Sequence, residues 1–297
     1  MANCRLCGEK AGWFKDVHPA CIEAVNAGVA EIKSAVTSAV EQIAQGGTPT
    51  IQSSIEQVIA DKRIPRESAN AAIVESWSAS VTEVSLREPL PVEKQTAFIK
   101  LTEQLGFTQQ ELSKTDGFRS AVFSMLLWAL TNDVTELYAN NMSHSPFNCE
   151  PGDLPIMFFG SVVYSQETTT RSRVGGYGGL SVRVAPGVYS HFGGFKGQQV
   201  ERVAMKEIDY GGMLLTTGAM YFGGEHTTFR IAFDNIISFR AQEDGIGFSR
   251  KTGHGIPEVF SVLQPDKDGK PTPAPAMFGW FLFNATQLLA SKKRSTS

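Results

Sequence analysis

The sequence predicts an α+β, multidomain chain. It begins with a small Cys/His module and an α-helical bundle, and continues as an antiparallel β-barrel or sandwich closed by a C-terminal α-helix. Three observations carry this. Nineteen of the 28 glycines lie between Gly152 and Gly255. Apolar side chains recur at steps of three and four before Asn141, and at steps of two after Asp153. Three of the four cysteines and one of the five histidines fall within residues 4–21. The expected domains are 1–25, a metal-binding module; 26–143, helical; 144–153, a linker dense in turn formers; 154–290, β with its closing helix; and 291–297, a frayed tail.

Each element has a local reason. Over Cys21–Gln45, Ile22, Val25, Val29, Ile32, Val36, Val40 and Ile43 form one helical stripe, which Gly46, Gly47 and Pro49 stop. Further helices are expected at 51–61, 67–84, 92–105 and 117–140, with Pro65, Pro89, Pro91 and Gly106 at the joints. The last of these carries Phe118, Val122, Met125, Leu126 and Leu130, is apolar on most sides, and should be central to the bundle. After Asp153, short segments rich in β-branched and aromatic residues read as strands. They are 156–164, 180–185, 188–192, 200–205, 212–217, 219–222, 228–233, 236–240, 245–250 and 259–263, separated by Gly or Asp turns. Pro265–Pro275 reads as a loop. Ala276–Ala290 then places Phe278, Phe281, Leu282, Ala285 and Leu289 on one helical face.

Composition narrows the function. Hydrophobic residues make up 42% and aromatic residues 10% of 297, which excludes a wholly disordered chain. The net charge of −3 lacks the basic excess of a protein that coats nucleic acid. Residues 1–150 hold 12 basic and 18 acidic side chains, and residues 151–297 hold 15 and 12, so the helical part is acidic and the β part mildly basic. No apolar run reaches the ~20 residues that a membrane helix needs. The start, Met-Ala-Asn-Cys, has no basic segment leading into an apolar one, so a cytoplasmic location with reduced thiols is expected.

Cys4-Arg-Leu-Cys7-Gly8 and His18-Pro19-Ala20-Cys21 form the most specific pattern. Two thiolates two residues apart wrap one tetrahedral ion, and Gly8 can take the left-handed backbone of such a knuckle. His18 and Cys21 flank a helix start, from which both can reach back to the knuckle. Cys4, Cys7, His18 and Cys21 together make a Cys₃His set for one structural Zn²⁺ per chain, since sulfur-rich ligation leaves no open catalytic position. The alternative is a chance cluster of core thiols. The segment resembles short zinc-ribbon or treble-clef modules, which serve different contacts on different scaffolds. Cys149, in the linker, reads as an ordinary reduced cysteine.

In the β part, Arg173-Val-Gly-Gly-Tyr-Gly-Gly-Leu180 lacks the Gly-Lys-Ser/Thr ending of a phosphate loop and reads as a turn between strands. Asp209-Tyr-Gly-Gly, Tyr221-Phe-Gly-Gly, Asp234-Asn-Ile-Ile and Asp244-Gly-Ile-Gly-Phe resemble the bacterial pleckstrin-homology-like (PH-like) domains, over about Leu154–Leu289. The resemblance implies a binding scaffold without catalytic residues, with Gly211 and Gly212 at a turn and Phe222 and Ile236 facing the core. In Thr217-Gly-Ala-Met the chain departs from the polar, basic turn usual in such domains.

The expected function is therefore a noncatalytic intracellular adaptor or sensor whose partner is a protein, with membrane lipid a weaker alternative. One competing reading is an enzyme drawing on His191, His226, His254, Glu225, Asp234 and Asp244. Another is nucleic-acid contact through Arg5, Lys10, Trp13, Phe14 and Lys15, although Trp13 and Phe14 serve equally well as the small core beneath the ion.

Overall fold

The structure, a computed structural model, describes residues 3–11, 16–134, 146–174, 177–185, 188–195, 198–252 and 255–296. Over 169–202 it describes the backbone alone. The chain divides into two compact units, Met1–Ser143 with Asn284–Leu289, and His144–Phe283 with Ala290–Ser297. It is α+β, with helices, an eight-stranded antiparallel sheet and a C-terminal helix.

The first unit holds α1 (Pro19–Ala44), α2 (Gln52–Lys62), α3 (Arg66–Arg87), α4 (Val92–Gln104), the single turn α5 (Gln109–Leu112) and α6 (Asp116–Thr131). In α1 the expected stripe is buried from Ile32 to Ile43, while Ile22 at its start is exposed. Helix α3 packs between α1 and α6. The α3–α6 approach is close enough that a Cβ at Gly117 would meet the Ser78 backbone at 2.6 Å, so glycine is required there. Short capping motifs order the joints. Thr115 Oγ1 accepts from the Phe118 amide, and Thr108 and Glu111 cap each other across the start of α5.

Helix α6 stops at Thr131 rather than Asn140. Asp133 takes a left-handed φ of 57°, and the Val134 amide donates back to the Ala129 carbonyl at 3.1 Å, a closing geometry that Asn and Asp tolerate. Residues 135–145, which complete the expected helix and open the expected linker, lie outside the described residues.

In the second unit the sheet runs in the order β6-β5-β4-β1-β9-β8-β7, with β10 (Pro271–Pro273) added to β9. Its members are β1 (Pro155–Val174), β4 (Gln198–Thr216), β5 (Ala219–Gly224), β6 (Thr228–Ala232), β7 (Ile236–Ala241), β8 (Gly245–Arg250) and β9 (Pro257–Pro265). The hairpin of β2 (Tyr177–Ala185) and β3 (Val188–Phe195) forms a separate ladder. The path is open, with β6 and β7 as its edges among the described residues, so the ladders do not close a barrel.

Strand β1 outruns its expected end at Tyr164, and β4 joins two expected strands into one. Beyond Gln166, β1 pairs with β4 alone, from Glu167 opposite Met205 to Val174 opposite Gln198. A two-stranded ribbon has no core to face. Its Thr-Thr-Thr-Arg-Ser-Arg sequence therefore carries no alternation of apolar residues that could announce it. Gly211 and Gly212 also lie within β4 rather than at a turn. They pair with Gly224 and Gly223, and a Cβ on Gly211 would stand 2.0 Å from the Gly223 carbonyl oxygen.

The core of this unit is aromatic. Phe222 and Phe260 stack at 5.4 Å, Tyr164 meets both within 6 Å, and Phe229 and Phe248 extend the cluster. Phe222 and Ile236 are buried, as the sequence led one to expect. The C-terminal helix α7 (Ala276–Thr296) brings Phe278 and Phe281 against Phe159 of β1. It continues through Lys292–Arg294, where the sequence predicts a frayed tail.

Candidate metal centre and the buried charges of the sheet

The N-terminal segment folds as a tight knuckle. The Gly8 amide donates to the Cys4 carbonyl at 2.7 Å, the Cys4 amide donates to the Glu9 carbonyl, and Asn3 bridges Lys10. Gly8 takes φ +81°, the left-handed conformation its place after Cys7 called for. On the other side His18 occupies the N-cap position of α1 with an extended backbone, and Pro19 starts the helix. Cys21 then lies in the first turn, its amide bonded to the His18 carbonyl at 3.1 Å.

These two pieces bring the four side chains together. One ligand atom each from Cys4, Cys7, His18 and Cys21 lies within 4.8 Å of all the others. His18 Nδ1 stands 3.3 Å from Cys7 Sγ and 3.8 Å from Cys21 Sγ. Zn–S bonds of about 2.3 Å and a Zn–N bond of about 2.0 Å in a tetrahedron imply S···N edges of about 3.5 Å. The Cys₃His group is thus able to hold a metal ion. Its other imidazole nitrogen, Nε2, lies 2.9 Å from the Lys10 carbonyl oxygen. A proton on Nε2 satisfies that carbonyl and leaves the Nδ1 lone pair for a metal, the orienting role of an outer hydrogen bond.

The thiols pull against one another. Burial opposes ionisation of Cys4, but the backbone N–H groups of His18, Cys7 and Leu6 outweigh it and bring its pKa down to about 6. Burial, with Cys7 and Cys4 as sulfur neighbours, pushes Cys21 up to about 11. A divalent cation held among the donors would offset the sulfur neighbours that raise Cys21.

The remaining sequence candidates do not assemble in this way. Arg5 and Lys10 are exposed on the knuckle, and Trp13, Phe14 and Lys15 lie outside the described residues. So do His254 and the side chain of His191. Glu225, His226 and Asp234 are exposed and Asp244 half-buried. Glu225 and His226 serve a turn through their backbone amides, which donate to Asp209. Of the glycine-rich Arg173–Leu180 stretch, β1 ends at Val174 and β2 begins at Tyr177; Gly175 and Gly176 between them lie outside the described residues. Cys149 is half-buried with its thiol toward the Phe147 carbonyl.

Sequence reasoning missed two buried polar centres and one half-buried one. Asp209, 3% exposed, accepts from the amides of Tyr210, Glu225, His226 and Thr227 and from the Thr227 hydroxyl. Burial works against its charge, yet these donors prevail and hold its pKa down at about 2. Glu258, with no exposed surface, takes a bidentate pair from Arg250 at 2.7 and 2.6 Å and the hydroxyl proton of Tyr164. Burial and the Glu258 carboxylate both push the Tyr164 hydroxyl well above the ordinary tyrosine range. Arg230 bridges Asp153 and the Tyr221 hydroxyl, tying the end of the linker to β5 and β6. Only Glu258 left a trace in the sequence: it is in phase with Phe260 and Val262, an acid on the buried side of a strand.

Comparison with protein-family models, with curated proteins and with solved structures gives no match. No helix among the described residues is long and apolar enough to cross a membrane.

Proposed function

We propose that this chain is a noncatalytic intracellular adaptor or sensor. A structural Zn²⁺ on Cys4, Cys7, His18 and Cys21 staples the knuckle to α1, and a PH-like β domain presents a surface to a protein partner. The observation that carries the reading is the closed Cys₃His group, whose four donors lie mutually within 4.8 Å. Four protein donors fill a tetrahedral zinc, and its thiolate-rich character suits a structural ion better than an ion that must keep a site for water. The PH-like reading draws support from an all-antiparallel path centred on β1 and from α7 packed against β1 through Phe278 and Phe281. The polar groups of the sheet named above are engaged with one another, which suits a rigid scaffold.

The test has two parts. Metal analysis of the purified full chain should find about one zinc per chain, lost when Cys4 and Cys7 are both replaced by Ser. Immobilised full-length chain should then retain a protein partner from nuclease-treated extract, and bind neither anionic vesicles nor nucleic acid at physiological salt. Turnover of a small molecule with no macromolecule retained would overturn the adaptor reading.

A further inference from the structure

The ladder is irregular at the start of β7. Ile236 pairs with Arg250 and Ser238 with Ser249, so Ile237 is the extra residue of a bulge. Consecutive residues of a regular strand face opposite sides of the sheet, yet Ile236 and Ile237 line the same cleft. Ile236 is 2% exposed and belongs to the core, whereas Ile237 is 55% exposed. The bulge thus turns a second apolar side chain outward into the cleft, the kind of re-aiming that bulges perform beside functional sites.

The cleft holds about 420 Å³, in the size range of sites for small organic molecules. The rest of its lining is charged: Asp234 from the turn before β7, Lys251 just past β8, and Lys293 and Arg294 from the last turn of α7. Lys251 is set in place by its backbone amide, which donates to the Asn235 carbonyl at 2.8 Å. Three cations face one carboxylate, and neither Lys251 nor Arg294 forms an ion pair among the described residues. This lining favours an occupant with negative charge on one side and apolar surface on the other, and a dianion over a monoanion. We propose that the cleft binds a small soluble phosphomonoester, its phosphate among Lys251, Lys293 and Arg294 and its apolar body against Ile237. At neutral pH such a group carries close to two negative charges and three acceptor oxygens, which suit several cations at once. The inference depends neither on the zinc centre nor on a protein partner.

Titration of the full-length chain, followed by calorimetry and nuclear magnetic resonance, tests this with three probes. They are 2-naphthyl phosphate, the monoanion 2-naphthyl sulfate of similar shape, and inorganic phosphate, which lacks the apolar body. Naphthyl phosphate should bind about fivefold more tightly than the sulfate, the order expected of one more charge at an exposed site. It should bind on the order of tenfold more tightly than inorganic phosphate, because part of the ring leaves water. Lys251→Gln combined with Arg294→Gln should erase the preference for phosphate over sulfate. Ile237→Ser should weaken both naphthyl probes and leave inorganic phosphate unchanged. All three side chains are exposed, so thermal melting of the variants should match that of the wild type. In wild-type protein the Ile237 methyl resonances should shift with both naphthyl probes and stay in place with inorganic phosphate. Vesicles containing phosphatidic acid, and a phosphoserine peptide, should bind more weakly than naphthyl phosphate. Equal binding of the two naphthyl probes, unmoved Ile237 methyl resonances, no binding of any probe, or tighter binding of the vesicles or the peptide would overturn the assignment.

Discussion

The N-terminal knuckle and the β sheet come to order by opposite means. Among described residues 3–11 and 16–18, only Cys4 and Ala11 are buried. In the sheet, Phe222, Phe260, Met213, Leu214 and Leu215 have almost no exposed surface. A segment with so little to bury cannot offset the entropy of ordering its backbone by the hydrophobic effect alone, whereas the sheet can. Under the proposed zinc reading, the four donors of the knuckle play the part that aromatic packing plays in the sheet.

Removing the metal should separate the two regions most sharply. Structural zinc sites hold on the order of 10 kcal/mol or more of binding free energy that is also folding free energy. A strong chelator, or Cys4→Ser with Cys7→Ser, should therefore collapse amide dispersion for residues 3–11 and 16–18 while the sheet resonances stay in place. Nuclear magnetic resonance spectra read both at once.

The next largest effect lies in the sheet. Glu258→Ala leaves Arg250 without its bidentate partner in a buried site and should cost about 3–5 kcal/mol in urea unfolding. Arg250→Met combined with Glu258→Leu should cost markedly less, because no charge is then stranded. Neither change should alter zinc content.

Gly245→Ala comes third. The new Cβ would sit 1.8 Å from the Phe260 carbonyl oxygen, so β8 must move away from β9, at about 1–3 kcal/mol by the same assay.

Asp209 gives the smallest effect and the most diagnostic pH signature. Its folded pKa, about 2, lies below the ordinary aspartate value of about 3.9. The stability it contributes is therefore complete above pH ~4 and is lost as pH falls through about 2. Asp209→Asn should flatten that acid limb of the melting curve. It should also lower the midpoint at neutral pH, because an amide offers fewer acceptor sites to the donors around it.

What could be read in advance follows from how far each feature depends on its neighbours. The helices and the knuckle were legible because their causes are local: a stripe of Ile and Val in α1, a Gly after Cys7, a Pro after His18. The α+β division was legible in the change of apolar period near Asp153. Of the ribbon formed by β1 and β4, the β4 side was expected as 200–205, but the β1 side, 167–174, was not, since its Thr, Arg and Ser run leaves no apolar period. The end of α6 turned on a left-handed Asp133 that propensity did not single out. The buried centres at Asp209 and Glu258 were hidden for another reason. Tyr164 lies 94 residues from Glu258, and the amides that hold Asp209 belong to the turn between β5 and β6, so only the sheet register brings them together.

X-ray absorption at the zinc edge, joined to amide spectra before and after chelation, decides whether an ion orders the knuckle. One zinc per chain is expected, with three sulfurs at about 2.3 Å and one nitrogen at about 2.0 Å, and loss of order in residues 3–11 and 16–18 on chelation. A metal-free protein whose residues 3–11 and 16–18 stay as ordered as in the metal-loaded form would rule out a structural ion.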